Sequence, residues 1–227
     1  MPSKPKTRPP LASRRPKRTP KLDKRSKPER ARARSPEERR VPPPPGSVPA
    51  IDGLDALAFA ASRIRDIPDF PKPGIIFKDI TPLLASPRAF HIVLDSLAER
   101  FIGEHIDAIV GVEARGFIFG AALAARLNAS FVPARKPGKL PGATDSVTYD
   151  TEYSTARLEM HRESLASESR VVVVDDLLAT GGTARAAAEL VRVQNAYVVS
   201  YAFVVELGFL GGREKLLPVR VESVLRY

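Results

Sequence analysis

The chain has 227 residues, 36 Lys and Arg against 26 Asp and Glu, a net charge of +10 and no cysteine. Without thiols it forms no disulfide and no thiolate metal site, a usage that fits a reducing cytoplasm, and no run of 18 apolar residues is available to span a bilayer as a helix. The charge is uneven: residues 1–45 carry 16 bases, 4 acids and 12 of the 22 prolines, whereas residues 46–227 carry 20 bases against 22 acids.

Residues 1–46 therefore read as a basic, proline-rich extension. Its only large aliphatic side chains are Leu11, Leu22 and Val41, too few to offset the entropy of ordering, so disorder is expected. The start, MPSKPKTRPP, has no apolar core and no cleavage site, unlike a secretory signal. Prolines and the acids Asp23, Glu29, Glu37 and Glu38 count against a transit peptide. Such a basic arm attracts phosphate backbones or acidic surfaces without sequence preference. The remaining stretch, 47–227, has the size of one domain with a full core.

After the linker Pro42–Gly46, Asp52 or Asp55 can cap a helix over about 54–66, with Leu54, Leu57, Ala58, Ala61 and Ile64 on its apolar side. Prolines at 68, 71 and 73 then force an extended segment up to a short strand or turn near Ile75–Leu84. Ser86 caps a helix that begins at Pro87 and runs to about Phe101. A strand at Ala108–Val112 leads through Glu113-Ala114-Arg115-Gly116 into a helix ending near Leu127. Phe131–Arg135 is another strand, and Lys136–Asp145 a loop. Ser146–Tyr149 and Ala156–His161 are the arms of a hairpin whose tip is 150–155. A strand at Ala196–Val205, a helical turn near Arg213–Leu217 and an edge strand at Arg220–Leu225 close the chain.

Between the hairpin and the strand at 196 lies Val171–Ala184, VVVVDDLLATGGTA. Four successive valines predict a strand buried on both faces, central in a parallel sheet and ending at the two acids. A turn of small residues follows, and then a helix at Ala184–Val193. In such a unit the turn lies at the carboxyl edge of the sheet, where free N–H groups of the helix start attract anions. Gly181 and Gly182 admit close approach of a phosphate. The turn is not a nucleoside-triphosphate loop, because Gly182 stands where that loop has Lys. Asp175 and Asp176, as acceptors only, suit vicinal sugar hydroxyls. Hydroxyls and a terminal phosphate together describe a phosphoribosyl group. Alternating strands and helices predict an α/β fold with a mostly parallel sheet flanked by helices.

RDIPDFPKPGIIFKDITPLL, VGVEARGFIFGAALA, RKPGKLPG, Glu152-Tyr153 and VVVVDDLLATGGTA occur in the order found in the adenine phosphoribosyltransferases, and from about residue 50 onward the chain resembles that family. The resemblance implies a type I phosphoribosyltransferase fold with a small hood over the carboxyl edge, built from about 66–84 and 206–217. It further implies formation of AMP and diphosphate from adenine and phosphoribosyl pyrophosphate, with Mg²⁺ carried mainly by that donor and water, in a homodimer. It places the ribose and 5-phosphate on Asp175, Asp176, Ala179, Thr180, Gly181, Gly182 and Thr183. Diphosphate falls to Glu113, Ala114, Arg115, Arg135, Lys136 and Lys139. Adenine falls to Ile76, Phe77, Lys78 and Leu207, with Phe77 stacked on the base and the backbone of 76 and 78 reading its edge. Glu152 and Tyr153 form a catalytic lid tip, Glu152 handling a proton. Lys78 departs from the Arg of many relatives, a change that a main-chain contact tolerates. Taken one at a time, the basic loop, the Glu-Tyr pair and the acid pair are ordinary solvated features; their order is what carries the inference. Xanthine in place of adenine, or a nucleic-acid-binding regulator keeping the phosphoribosyl site as a sensor, are the alternatives. His91, His105 and His161 lack ligand spacing.

Overall fold

The computed structural model describes residues 53–150 and 155–227. The expectations for the extension 1–46, for a cap at Asp52 and for the tip residues Glu152 and Tyr153 lie outside those residues.

Five parallel strands form the central sheet in the order β4 (Ser130–Ala134), β3 (Ala108–Val112), β7 (Arg170–Leu178), β8 (Tyr197–Glu206) and β9 (Arg220–Arg226). The valine run makes β7 central, as its composition predicts. Val171 and Val173 face one core and Val172 and Val174 the other, all fully buried, because successive side chains of a strand point to opposite faces. One face is covered by α1 (Gly53–Ala61), α2 (Thr81–Leu84), α3 (Pro87–Glu99) and α4 (Gly116–Leu127), which bury Ala60, Leu83, Leu97 and Leu123 against it. The other is covered by α5 (Gly182–Val193) and by β6 (Thr155–His161), the second arm of the antiparallel hairpin begun by β5 (Thr144–Asp150).

Ser86 caps α3 as expected, its hydroxyl accepting from the Ala89 N–H. The first helix differs. It stops at Ala61, its buried side chain is Ala60, and Ala58 is exposed. Residues 65 and 66, where the expected helix was to end, belong with Ile67 to strand β1 (Arg65–Ile67), antiparallel to β2 (Phe77–Asp79). Ile67 precedes Pro68, which disfavours helical backbone there, and the pairing is sealed by the Arg65–Asp79 ion pair at 2.6 Å. Asp79 also accepts from the Thr81 N–H at 2.9 Å, and its hydrogen bonds to Thr81 and Arg65 hold its pKa down at about 2. The β1–β2 ribbon falls within the segment from which a hood was expected.

The second correction concerns β7. The strand does not end at the acids but runs past them to Leu178, with Asp175 opposite Phe203 and Leu178 opposite Glu206. The ten-residue neighbour β8 offers a ladder that far, so the two carboxylates lie within the strand and not at its end. Four parallel strands thus deliver their carboxyl ends, and the segments that follow 112, 134, 178 and 206, to one edge of the sheet.

Helix α4 lies unusually close to that sheet. A Cβ on Gly116 would stand 2.7 Å from the Val174 carbonyl oxygen and 2.9 Å from Asp175 Oδ1, whereas one on Gly120 would meet only the Phe131 ring at 3.0 Å and the Gly111 Cα at 3.4 Å. Backbone cannot swing aside as a ring can. Gly116→Ala is therefore expected to destabilise the chain by about 1–3 kcal/mol and Gly120→Ala by less, measured by urea unfolding; equal effects would refute this account of the close approach.

Candidate active site

Two clusters share the carboxyl edge. The first begins at Asp176, buried at 3% exposure. Arg115, just before α4, brings its Nε to 2.7 Å from Asp176 Oδ2, and its guanidinium lies 5.2 Å from the centre of the Phe77 ring. Phe77 is held in β2 and packs edge-on against Phe70. One side chain thus bridges the hood ribbon, the turn after β3 and the acid pair of β7. Arg115 sits where a helix start opposes its charge, and Asp176 supplies the compensation.

The two carboxyls differ in surroundings. Asp175 Oδ1 accepts from the Asp176 N–H at 2.9 Å and lines a small cavity with Leu177, Thr180, Gly182 and Phe203. Burial pushes its pKa well up, and the neighbouring Asp176 charge pushes it further. Asp176 is also raised by burial, with Arg115 pulling the other way. Beside this cavity the turn Ala179–Gly181 enters α5, with Gly181 at φ +80° in the left-handed region that glycine accepts at little cost. A cleft of about 630 Å³ opens on the outer side of the turn, walled by Tyr149, Arg185 and Lys215. The Tyr149 hydroxyl lies 3.4 Å from Thr183 Oγ1.

The second cluster surrounds Glu113, whose peptide to Ala114 is cis. Arg135 Nη2 donates to Glu113 Oε1 at 2.8 Å, and the Lys136 N–H donates to Oε2 at 2.9 Å. Chiefly through Arg135, the Glu113 carboxyl is held below its usual range. Arg135 also donates to the Lys139 carbonyl. Its charge is thus already matched, while the side chains of Lys136 and Lys139 are exposed. The loop is stapled from behind by Glu159 of β6, which is buried, accepts from the Gly138 N–H and pairs with Arg157; its backbone also bridges that of Arg135.

Phe77, Arg115, Asp175, Asp176 and the 179–183 turn are therefore brought together, and Glu113, Arg135, Lys136 and Lys139 form an adjoining group. Leu207 reaches the same edge, its N–H donating to the Leu178 carbonyl at 2.9 Å. Ile76 is exposed, and Lys78 is turned away into contacts with Asp66 at 2.7 Å and the Tyr227 ring at 4.0 Å, leaving only its backbone free to serve a ligand. Three residues were missed from the sequence: Glu159, Glu206 and Arg213. The signal for the two acids was present, since each follows or interrupts an apolar strand run (Leu158-Glu159-Met160 and the end of YVVSYAFVVE) as Asp175 does.

The raised pKa of Asp175 carries a stability consequence. Between the unfolded value of 3.8 and the higher folded value the native state holds the extra proton, so stability is fully present at low pH and is lost as pH rises through the folded value. Asp175→Asn is expected to raise the thermal midpoint at pH 8, by roughly 2–4 °C for each kcal/mol relieved, with the gain vanishing towards pH 4. Thermal scans across that range check it, and a gain that grew on acidification would contradict the burial argument.

A model of the phosphoribosyl transferase domain matches residues 82–221. The adenine phosphoribosyltransferase of Sorangium cellulosum is 66% identical over 167 residues, 74% of this chain and 84% of that protein. Among solved structures, the adenine phosphoribosyltransferase of Thermoanaerobacter pseudethanolicus superposes with a TM-score of 0.73 at 50% identity, covering 75% of this chain and 99% of that one. That of Saccharomyces cerevisiae, complexed with adenine and an imino-altritol bisphosphate, does so with 0.71 at 40% identity, covering 75% and 99%. A parallel sheet with flanking helices, an acid pair on its central strand and a glycine turn at its carboxyl edge are the type I phosphoribosyltransferase fold, and the chain belongs to the adenine phosphoribosyltransferase family.

Proposed function

We propose that the chain joins adenine to the phosphoribosyl group of phosphoribosyl pyrophosphate, forming AMP and diphosphate in purine salvage. The observation that carries it is the contact chain from Phe77 through Arg115 to Asp176, which sets a base-stacking ring, a diphosphate-binding fork and a ribose acceptor side by side. The yeast relative, complexed with adenine and an imino-altritol bisphosphate, supports a site that takes a base and a phosphorylated sugar analogue.

In this reading the bond from ribose C1 to the diphosphate oxygen breaks, its electron pair leaving with the oxygen, while adenine N9 forms the new bond and gives up its proton. Asp175 and Asp176 accept the 2- and 3-hydroxyls and, when ionised, favour the positive charge that gathers on the ring. Backbone N–H groups of 179–183 hold the 5-phosphate. Arg115, with Lys136 and Lys139, meets the diphosphate; Glu113 and Ala114 shape that turn, and Arg135 serves the same group by bracing Glu113 and the Lys139 backbone. Phe77 and Leu207 sandwich the base, and the backbone of Ile76 and Lys78 offers donor and acceptor to its edge. Glu152 takes the N9 proton, with Tyr153 assigned to the same step.

Among the described residues no three acid, His or Cys side chains gather into a metal cage, and Asp176 Oδ2 has no aligned hydrogen-bond donor. Such a site fits Mg²⁺ arriving on the donor, faced by Asp175 and Asp176 through hydroxyls and water. When bound, it neutralises charge on the leaving diphosphate. A homodimeric, cytoplasmic enzyme is part of the same proposal, as is the division into a catalytic domain, 47–227, and a basic extension, 1–46, that adheres to nucleic acid or acidic surfaces.

Diphosphate release with Mg²⁺, the donor and each of adenine, xanthine, guanine, hypoxanthine and orotate is expected with adenine alone. Release with none of them would sink the activity and favour a sensor. Asp176→Asn should lower kcat/KM for the donor at least a hundredfold, and Glu152→Ala should lower kcat. Because hydroxyl donors favour the ionised acids, donor binding should release protons, and its affinity should rise with pH until the pair is ionised; calorimetry in buffers of different ionisation enthalpy measures this. Removing residues 1–46 should leave turnover unchanged and abolish salt-sensitive binding to DNA; binding that survived the truncation would place that contact elsewhere.

A further inference from the structure

The proposed phosphate turn has a neighbour in which only the first residue, Leu207, has a ligand role. The segment 207–212 leans on it backbone to backbone. A Cβ on Gly212 would collide with the Ala179 carbonyl and come within 3.0 Å of Leu178 Cδ1, and a Cβ on Gly181 would stand 2.9 Å from the Gly212 carbonyl oxygen. Apolar anchoring is confined to its start, where Leu207 packs on the core, and Phe209 is 78% exposed. What closes it is the pair of residues at its ends. Glu206, at the end of β8 and 1% exposed, receives Arg213 Nε at 3.0 Å and Nη2 at 2.5 Å. Both partners are tied to β9: the Ser223 hydroxyl donates to Glu206 at 2.7 Å, and Arg213 Nη1 donates to the Val221 carbonyl at 2.7 Å.

We propose that the Glu206–Arg213 fork is a positioning clasp: by pinching the 207–212 loop at its base, it presses Gly212 against Ala179 and Gly181 and fixes the backbone donors that grip the 5-phosphate. Neither residue touches the ligand. A planar guanidinium suits the task, because two parallel hydrogen bonds fix direction as well as distance, which an ammonium cannot do. The absence of side chains at 181 and 212 is what lets the loop bear directly on the turn. The clasp thus bears on recognition of the phosphate monoester, while Leu207, which faces the base, is held separately by its own N–H to the Leu178 carbonyl at 2.9 Å.

The inference rests on the proposed activity, and the experiment separates the two. Equilibrium binding of AMP and of adenosine is measured in the full chain, in Arg213→Lys, and in the double variant Glu206→Met/Arg213→Met, which removes the pair without stranding a buried charge. Folding of each variant is verified by thermal unfolding. The expected result is a fall of tenfold or more in the preference for AMP over adenosine in the double variant, a smaller fall in Arg213→Lys, and adenosine affinity within about twofold of the parent. Donor KM should rise in parallel while kcat at saturation stays within about threefold. An unchanged preference in a folded variant, or equal losses for AMP and adenosine, would overturn the clasp. Should the double variant not fold, Arg213→Lys decides alone, and an unchanged preference there overturns it equally. A parent chain that bound neither ligand would instead remove the activity on which the proposal rests.

Discussion

Two carboxylates set side by side in the central strand of a buried parallel sheet are the constraint around which the rest of the site is arranged. Burial raises the cost of ionising either one, and the charge of Asp176 makes Asp175 harder still to ionise. The native state can hold them only because Arg115 offers a counter-charge at Asp176 and because the strand ends where water and ligand have access. Replacing them with apolar residues would be the cheaper design for stability. Their retention inside β7 makes sense as preparation for a ligand whose hydroxyls supply the donors that the protein withholds.

That arrangement accounts for the position of the other parts. Arg115 must be near Asp176, so the turn after β3 has to come close to β7, and Gly116 provides the clearance at the start of α4. The same arginine then lies against Phe77, which couples the hood ribbon to the sheet through one side chain. The ribbon itself has almost no core: Arg65, Asp66, Lys78 and Asp79 hold it by ion pairs, and Ile76 is exposed. In the proposed function this ribbon meets the base, and an element held by polar contacts can present apolar side chains to a ligand without burying them first.

Much of this was legible from the chain. The valine run, the glycine turn and the amphipathic helix behind it are local signals; the strand's start and the helix formed within a residue or two of their expected limits. The extent of β7 was not legible, because continuation through Asp175 and Asp176 depends on the length of β8, a neighbour 20 residues away in sequence. The end of α1 was missed for a similar reason: Arg65–Ile67 is a strand only because β2 is there to pair with it. The role of Arg135 was blurred. As a cation in a basic loop it reads as an anion ligand, yet its fork is largely committed to Glu113, whose own place is set by β3. Glu206 and Arg213 escaped notice because their partnership spans an irregular loop with no periodicity to reveal it.

Within the described residues, the buried acids sort by how they are satisfied. Glu206 is surrounded by donors, and its carboxyl is held low chiefly by Arg213. Glu159 is likewise held low, first by Arg157. Asp175 and Asp176 alone are pushed upward. The first two are complete without a ligand and act on the shape of the neighbouring loops, 135–139 and 207–213. The other two are incomplete without one. The contrast separates groups that build the site from groups that use it, and it rests on hydrogen-bond satisfaction rather than on distance to the cavity. An acid already surrounded by donors has little to gain from a sugar hydroxyl, whereas an acid short of donors gains most from it.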